Sequence, residues 1–101
     1  RNMMYPSKLK SDDMDKLFEA VLTLESVEEC YMFFEDLCTI SELSSMSQRF
    51  KVAQLLNEKH TCHDISEKTG ASTATISRVN RCLHYGTGGY QKALKRLKQE
   101  D

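Results

Sequence analysis

The chain has 101 residues, of which 40% are apolar and 29% are charged, and its formal net charge is −1. This length predicts a single small domain with a modest core, which dimerisation would enlarge. No apolar run approaches the roughly 18 residues that a membrane span needs, and the polar segment 1–10 lacks the apolar stretch of a secretory signal. We therefore expect a cytoplasmic protein.

Charge is distributed unevenly along the chain. Residues 1–58 contain 6 basic and 11 acidic side chains, whereas residues 59–101 contain 8 basic and 4 acidic ones, so the net charges are −5 and +4. The positive second half favours an anionic partner, although a solvated charged face gives the same contrast. The four cysteines form no paired motif, which predicts free thiols in a reducing compartment.

The first half of the chain predicts a loose arm followed by three helices. Residues 1–10 show no periodicity and include Pro6, which is typical of an arm. Capping residues then predict the start of each helix: Ser11, the pair Ser26 and Glu29, and the pair Thr39 and Glu42. The third helix continues to about Glu58, and we interpret residues 11–58 as core helices.

Residues 61–83 predict a helix, a glycine turn and a second helix. Thr61 caps the first helix, Gly70 ends it in a left-handed turn, and Ser72 caps the second. The second helix carries an apolar stripe at helical spacing, formed by Ile76, Val79 and Leu83. Its other face is small, polar and basic. Such a face fits the major groove of DNA, although an ordinary αα corner has the same outline.

We predict DNA-contacting residues within this helix-turn-helix. Thr73, Ala74 and Ser77 are placed to meet bases, while Lys68 and Arg81 are placed to meet phosphates. After it, the glycines of segment 86–89 predict a flexible joint before a closing helix at 90–98. No strand pattern appears, so the expected fold is all-α with about six short helices.

The residues also resemble a known family. Segment 70–78, GASTATISR, resembles the recognition-helix motif of the tryptophan repressor family, and the run 67–83 is still more similar to its YerC/YecD group. The resemblance covers about residues 12–98. It implies an intertwined homodimer in which 11–101 is a single helical domain, 11–58 builds the dimer core and 61–83 is a DNA-reading head.

The resemblance further implies a ligand pocket at six positions. Four match the residues that hold tryptophan in the family repressor: Arg49, Arg78, Thr39 and Thr75. Two differ, because Val79 replaces a glycine that leaves room for the indole and Cys82 replaces a serine. We therefore hypothesise that tryptophan is not required. Arg49 and Arg78 are then either ordinary surface or ion-paired arginines, or a remnant anion site for another small ligand.

Other function classes have weaker support in the sequence. His60, Cys62, His63, Cys82 and His84 are of zinc-binding types, but their spacing is not a zinc signature. We interpret Cys62 and Cys82 as buried packing residues and expect no metal and no cofactor. No phosphate-binding glycine loop or catalytic constellation appears, so we do not expect an enzyme. A helical protein-interaction module that uses Tyr31, Phe33 and Phe34 as its partner surface remains an alternative.

Overall fold

The computed structural model describes residues 5–99, so the first four residues of the predicted arm and the last two of the chain lie outside the described part. It contains six helices: α1 (Asp12–Val21), α2 (Val27–Leu37), α3 (Ile40–Asn57), α4 (Cys62–Thr69), α5 (Thr73–Tyr85) and α6 (Gly89–Gln99). Residues 5–99 contain no strand. The prediction of an all-α fold with six helices is confirmed.

The first compact unit comprises residues 1–39 and contains α1 and α2. Ser11 and Ser26 cap these helices, since their hydroxyls accept hydrogen bonds from the N–H of Met14 at 3.0 Å and of Glu29 at 3.1 Å. The Glu29 carboxylate reaches back to the N–H of Glu25 at 2.8 Å, one residue before the partner that a capping box predicts. Neither helix contains a fully buried residue.

The second unit comprises residues 40–101, and its core holds the four remaining helices together. α3 packs against α4, α5 and α6. The buried side chains are Val52, Ala53, Leu55, Ile65, Ala71, Ile76, Val79, Leu83 and Leu94. The predicted stripe of α5 is therefore confirmed, because all three of its residues belong to this core.

The closing helix α6 is attached to the end of α5. Gln91 donates a hydrogen bond from Nε2 to the carbonyl oxygen of Leu83 at 2.9 Å. The ring of Tyr90 lies 6.4 Å from that of Phe50 on α3. These contacts place α6 at the carboxyl end of α5, away from the amino-terminal turn where the predicted base-contacting residues lie.

Candidate nucleic-acid interface

The two helices of the reading head, residues 61–83, begin and end where local chemistry predicts. The Thr61 hydroxyl accepts from the N–H of Asp64 at 3.1 Å, and Gly70 ends α4 with φ of +73°. The Ser72 hydroxyl accepts from the N–H of Thr75 at 3.1 Å. All three cap predictions are confirmed, and each hydroxyl supplies a partner for an N–H that the first helical turn leaves unpaired.

Side-chain hydrogen bonds hold the turn between α4 and α5. The Thr69 hydroxyl donates to the carbonyl oxygen of Ile65 at 2.7 Å and accepts from the N–H of Ala71 at 3.1 Å. Ser66 donates to the carbonyl oxygen of Ala71 at 3.2 Å, and Gln48 donates from α3 to the carbonyl oxygen of Thr69 at 3.1 Å. Sequence reasoning missed these polar residues, which together leave the turn little freedom.

The predicted base-contacting residues lie on the accessible surface of α5. Thr73, Ala74 and Ser77 are all exposed, whereas Ile76 and Val79 are buried. Positions 73, 74 and 77 share one side of a helix. Because their side chains are short, the helix backbone could approach a groove floor closely at this point.

The predicted phosphate-contacting residues differ in their surroundings. Arg81 is exposed, and within residues 5–99 no carboxylate oxygen lies within 4.0 Å of its guanidinium. Lys68 is exposed but lies 3.3 Å from the Asp64 carboxylate. An exposed pair of this kind contributes little stability, so Lys68 can exchange it for a phosphate at small cost.

A longer positive segment surrounds these residues. Residues 68–99 contain no aspartate or glutamate but seven basic residues: Lys68, Arg78, Arg81, Lys92, Lys95, Arg96 and Lys98. The net charge of residues 59–101 understates this run, because Asp64, Glu67 and the two terminal acids lie on either side of it. The run is readable from the sequence alone and supports an anionic partner for this unit.

A charged cluster lies at the amino terminus of α4. His60 Nδ1 is 2.5 Å from the Asp64 carboxylate, and His60 Nε2 is 3.8 Å from that of Glu58. Hydrogen bonds from His60 and then Lys68 lower the pKa of Asp64 below its ordinary value, since both favour the charged carboxylate. In the first turn of α4 this negative charge also faces the positive end of the helix dipole.

The positions of the predicted ligand pocket lie on different elements and differ in burial. Arg49 is half-buried on α3; on α5, Thr75 is half-buried and Arg78 exposed. Val79 is 2% exposed and belongs to the core. Thr39 is exposed in the first unit, directly before α3.

The prediction that Cys62 and Cys82 are buried packing residues is wrong, because both are exposed. Cys82 falls beside the stripe of α5, and Cys62 occupies the first position of α4. In the described part of the chain all four cysteines are free thiols, and no three His, Cys, Asp or Glu side chains are grouped as metal ligands. None of the described helices is long and apolar enough to cross a membrane.

Two capped helices joined by a glycine turn, with a buried stripe behind an exposed small-polar face, define a helix-turn-helix protein of the all-α class. The chain belongs to the Trp repressor family, since the family described as Trp repressor protein matches residues 12–98. This confirms the resemblance. The family is one of DNA-binding regulators rather than enzymes, and membership suggests that class of function for this chain.

Individual relatives support the same assignment. The Bacillus subtilis (strain 168) protein YerC is 52% identical over 98 residues, which cover 97% of this chain and 94% of YerC. The crystal structure of a TrpR-like protein from Eubacterium eligens is 57% identical, with a TM-score of 0.87 over 90% of this chain and 94% of that one. A Staphylococcus aureus protein proposed to be a Trp repressor is 47% identical, with a TM-score of 0.87 and 96% coverage of both chains.

Proposed function

We propose that this protein is a sequence-specific, DNA-binding transcriptional repressor that acts in the cytoplasm as a homodimer. The observation that carries the proposal is the exposed face of α5, where Thr73, Ala74 and Ser77 lie opposite a fully buried stripe. The carboxylate-free positive run of residues 68–99 supports an anionic partner for the same unit.

Each contact has its own role in this proposal. Thr73, Ala74 and Ser77 enter the major groove and meet base edges, and the Thr and Ser hydroxyls can both donate and accept there. Lys68 and Arg81 meet the phosphate backbone on either side. The phosphate contacts set affinity and register, and the base contacts set sequence preference.

Dimerisation is the second part of the proposal. Residues 11–58 supply the interface between the two protomers. The C-terminal helix α6, expected from the sequence at 90–98, completes the helical domain. Support comes from α1 and α2, which contain no fully buried residue. Large apolar side chains are exposed there, such as Tyr31 on α2, 65% exposed, and Leu22 directly after α1, 83% exposed. Surfaces of this kind mark interaction sites. Sedimentation equilibrium tests the point, since a stable monomer would favour the alternative of a helical protein-interaction module.

Independence from tryptophan is the third part. Val79 is buried in the core at the position where the family repressor has a glycine, and Cys82 stands in place of a serine. A valine side chain already fills the space that the indole would need. A regulator gated by a different small ligand is the remaining alternative. It is favoured by Arg78, which is exposed and has no carboxylate within 4.0 Å among residues 5–99.

Selection of binding sites from random duplex DNA tests the function directly. The purified protein is used without tryptophan and then with it, at stated salt concentration. We expect a near-palindromic site to be enriched in both conditions. Enrichment that requires tryptophan would refute independence from the ligand, and no enrichment in either condition would refute autonomous sequence-specific binding.

Variants then separate the proposed roles. Lys68→Ala and Arg81→Ala should weaken binding to all sequences and reduce the slope of log affinity against log salt by about one each. Ser77→Ala should change the preferred sequence instead. Lys8→Ala, which removes one exposed positive charge outside both the proposed dimer interface and the reading head, is the matched control and should leave both the slope and the preference unchanged.

A further inference from the structure

Gln48 connects α3 to the turn of the reading head. Its side-chain amide donates from Nε2 to the main-chain carbonyl oxygen of Thr69 at 3.1 Å, in a half-buried site. Thr69 is the last residue of α4, and the two residues are 21 positions apart. The bond therefore joins the helix that carries the core to the point where α4 gives way to α5.

The carbonyl oxygen of Thr69 needs a partner from outside its helix. The last carbonyls of any α-helix have no intrahelical N–H available, and the chain turns away at Gly70. The Gln48 amide supplies that partner. The hydroxyl of Thr69 is meanwhile bonded to the backbone on both sides of the turn, at Ile65 and Ala71. A restraint on Thr69 is thus transmitted to both helices of the reading head.

Apolar packing alone constrains the orientation of α4 and α5 less sharply. Ile65 and Ile76 bury the reading head against α3, but apolar contact is non-directional and tolerates small rotations. A hydrogen bond weakens steeply as its distance and angle depart from their preferred values. Among the described contacts, the Gln48–Thr69 bond supplies this directional restraint between α3 and the turn.

We propose that Gln48 is a positioning residue that sets the orientation of the reading head and thereby its discrimination between operator and random DNA. The inference rests on the proposed DNA-binding function. Base-edge hydrogen bonds need the donor and acceptor placed within a few tenths of an ångström, whereas phosphate contacts made by long flexible side chains tolerate larger displacements. A loosened head therefore loses specific binding before it loses non-specific binding.

Two substitutions provide a matched comparison. Gln48→Met keeps the length and volume of the side chain but removes the donor. Gln54→Met is the control, because Gln54 is also a half-buried glutamine of α3 and none of the described hydrogen bonds involves its side chain. If Gln48→Met does not fold, Gln48→Asn, whose amide is one methylene short of Thr69, replaces it.

The first readout is amide hydrogen exchange in the free protein, which needs no DNA. Gln48→Met should accelerate exchange of the Gly70 and Ala71 N–H groups relative to wild type, while Gln54→Met should leave it unchanged. Unchanged protection of both amides in Gln48→Met would overturn the positioning role. This comparison holds whether or not the protein prefers any DNA sequence.

The second readout is the ratio of affinities for the selected operator and for random duplex of equal length, at fixed salt. Re-ordering each loosened head on the operator costs at most about the free energy of the lost hydrogen bond, so two heads together predict a loss of roughly tenfold for the operator, with random duplex within about twofold of wild type. A purely stabilising residue would lower the unfolding temperature without changing this ratio, and that result would overturn the proposal. A wild-type protein that prefers no sequence would refute the proposed function, and hydrogen exchange would still decide the role of Gln48 in the turn.

Discussion

Val79 provides the sharpest test of how the reading head is held. It is 2% exposed in the core formed by α3, α4, α5 and α6. Truncation to alanine removes two carbon atoms from water-free packing, about 1.6 kcal/mol of transfer free energy, and the residual cavity raises the total to about 2–3 kcal/mol. Val79→Gly adds about 1 kcal/mol for a glycine within a helix, giving about 3–4 kcal/mol.

Urea unfolding at a fixed protomer concentration measures these free energies, since an oligomer's stability depends on concentration. Asn80→Ala and Asn80→Gly are the controls, because Asn80 is the exposed neighbour in the same helix; both should stay within about 1 kcal/mol of wild type. A loss below about 1 kcal/mol for Val79→Ala would show that the side chain does not fill a close-packed site. Room for a tryptophan side chain could then exist beside Val79, contrary to the proposed ligand independence.

A titration with tryptophan extends the same test to function. Wild-type protein should show no saturable binding if, as proposed, the buried Val79 side chain occupies the space that the family's glycine leaves open. If the slot is otherwise intact, Val79→Gly should gain measurable affinity, while Asn80→Gly should not. Binding by the wild type at micromolar concentration would refute the proposed ligand independence.

Two further variants test the ends of the reading-head helices. A Cβ on Gly86 would meet the carbonyl oxygen of Cys82 at 2.4 Å, so Gly86→Ala should lower the free energy of unfolding by about 1–3 kcal/mol. Gly89→Ala is the control, because the nearest atom to a Cβ there lies at 3.6 Å. This control should be neutral or slightly stabilising. The hydrogen bond from His60 lowers the pKa of Asp64 below the ordinary aspartate value of 3.8. The Asp64 carboxylate therefore stabilises the fold at pH values above 3.8. This contribution is lost as the pH falls through the lower pKa of the folded state. The stability difference between wild type and Asp64→Asn should therefore be present above pH 3.8 and shrink as the pH falls below it; a constant difference would contradict the assignment.

The helix-turn-helix was predictable because its determinants are local. A threonine, a glycine and a serine at fixed offsets satisfy the backbone groups at the helix ends, and the structure places Thr61, Gly70 and Ser72 in those roles. The buried stripe of α5 follows from helical periodicity. Local hydrogen bonding and period 3.6 are therefore sufficient to locate the exposed face of this unit.

Side-chain burial was less predictable where a residue lies beside a stripe. Cys82 is three positions after Val79 and one before Leu83, both buried, yet it is exposed. On a helix this position is displaced by roughly a quarter turn from the centre of the stripe, so burial depends on how closely a neighbouring helix approaches. That distance is a property of the tertiary structure and leaves no signature in the local sequence.

The Gln48–Thr69 bond was unpredictable for a similar reason. A glutamine inside an amphipathic helix is ordinarily a solvated residue, and nothing within three or four positions of Gln48 distinguishes it. Its partner is a backbone oxygen 21 residues away. Sequence patterns report side-chain types, whereas this contact depends on where a helix ends relative to another helix.

Val79 and Gln48 together bear on how the proposed regulator would be switched. A ligand can shift a conformational equilibrium only by the difference between its affinities for the two states. If a buried valine and a side-chain hydrogen bond already hold the reading head in its DNA-competent orientation, that orientation dominates without an effector, and a ligand that favours it has little population left to shift. Occupancy of the operator would then follow the concentration of the assembled dimer, and an effector could act strongly only by binding better to the incompetent state or by opposing assembly.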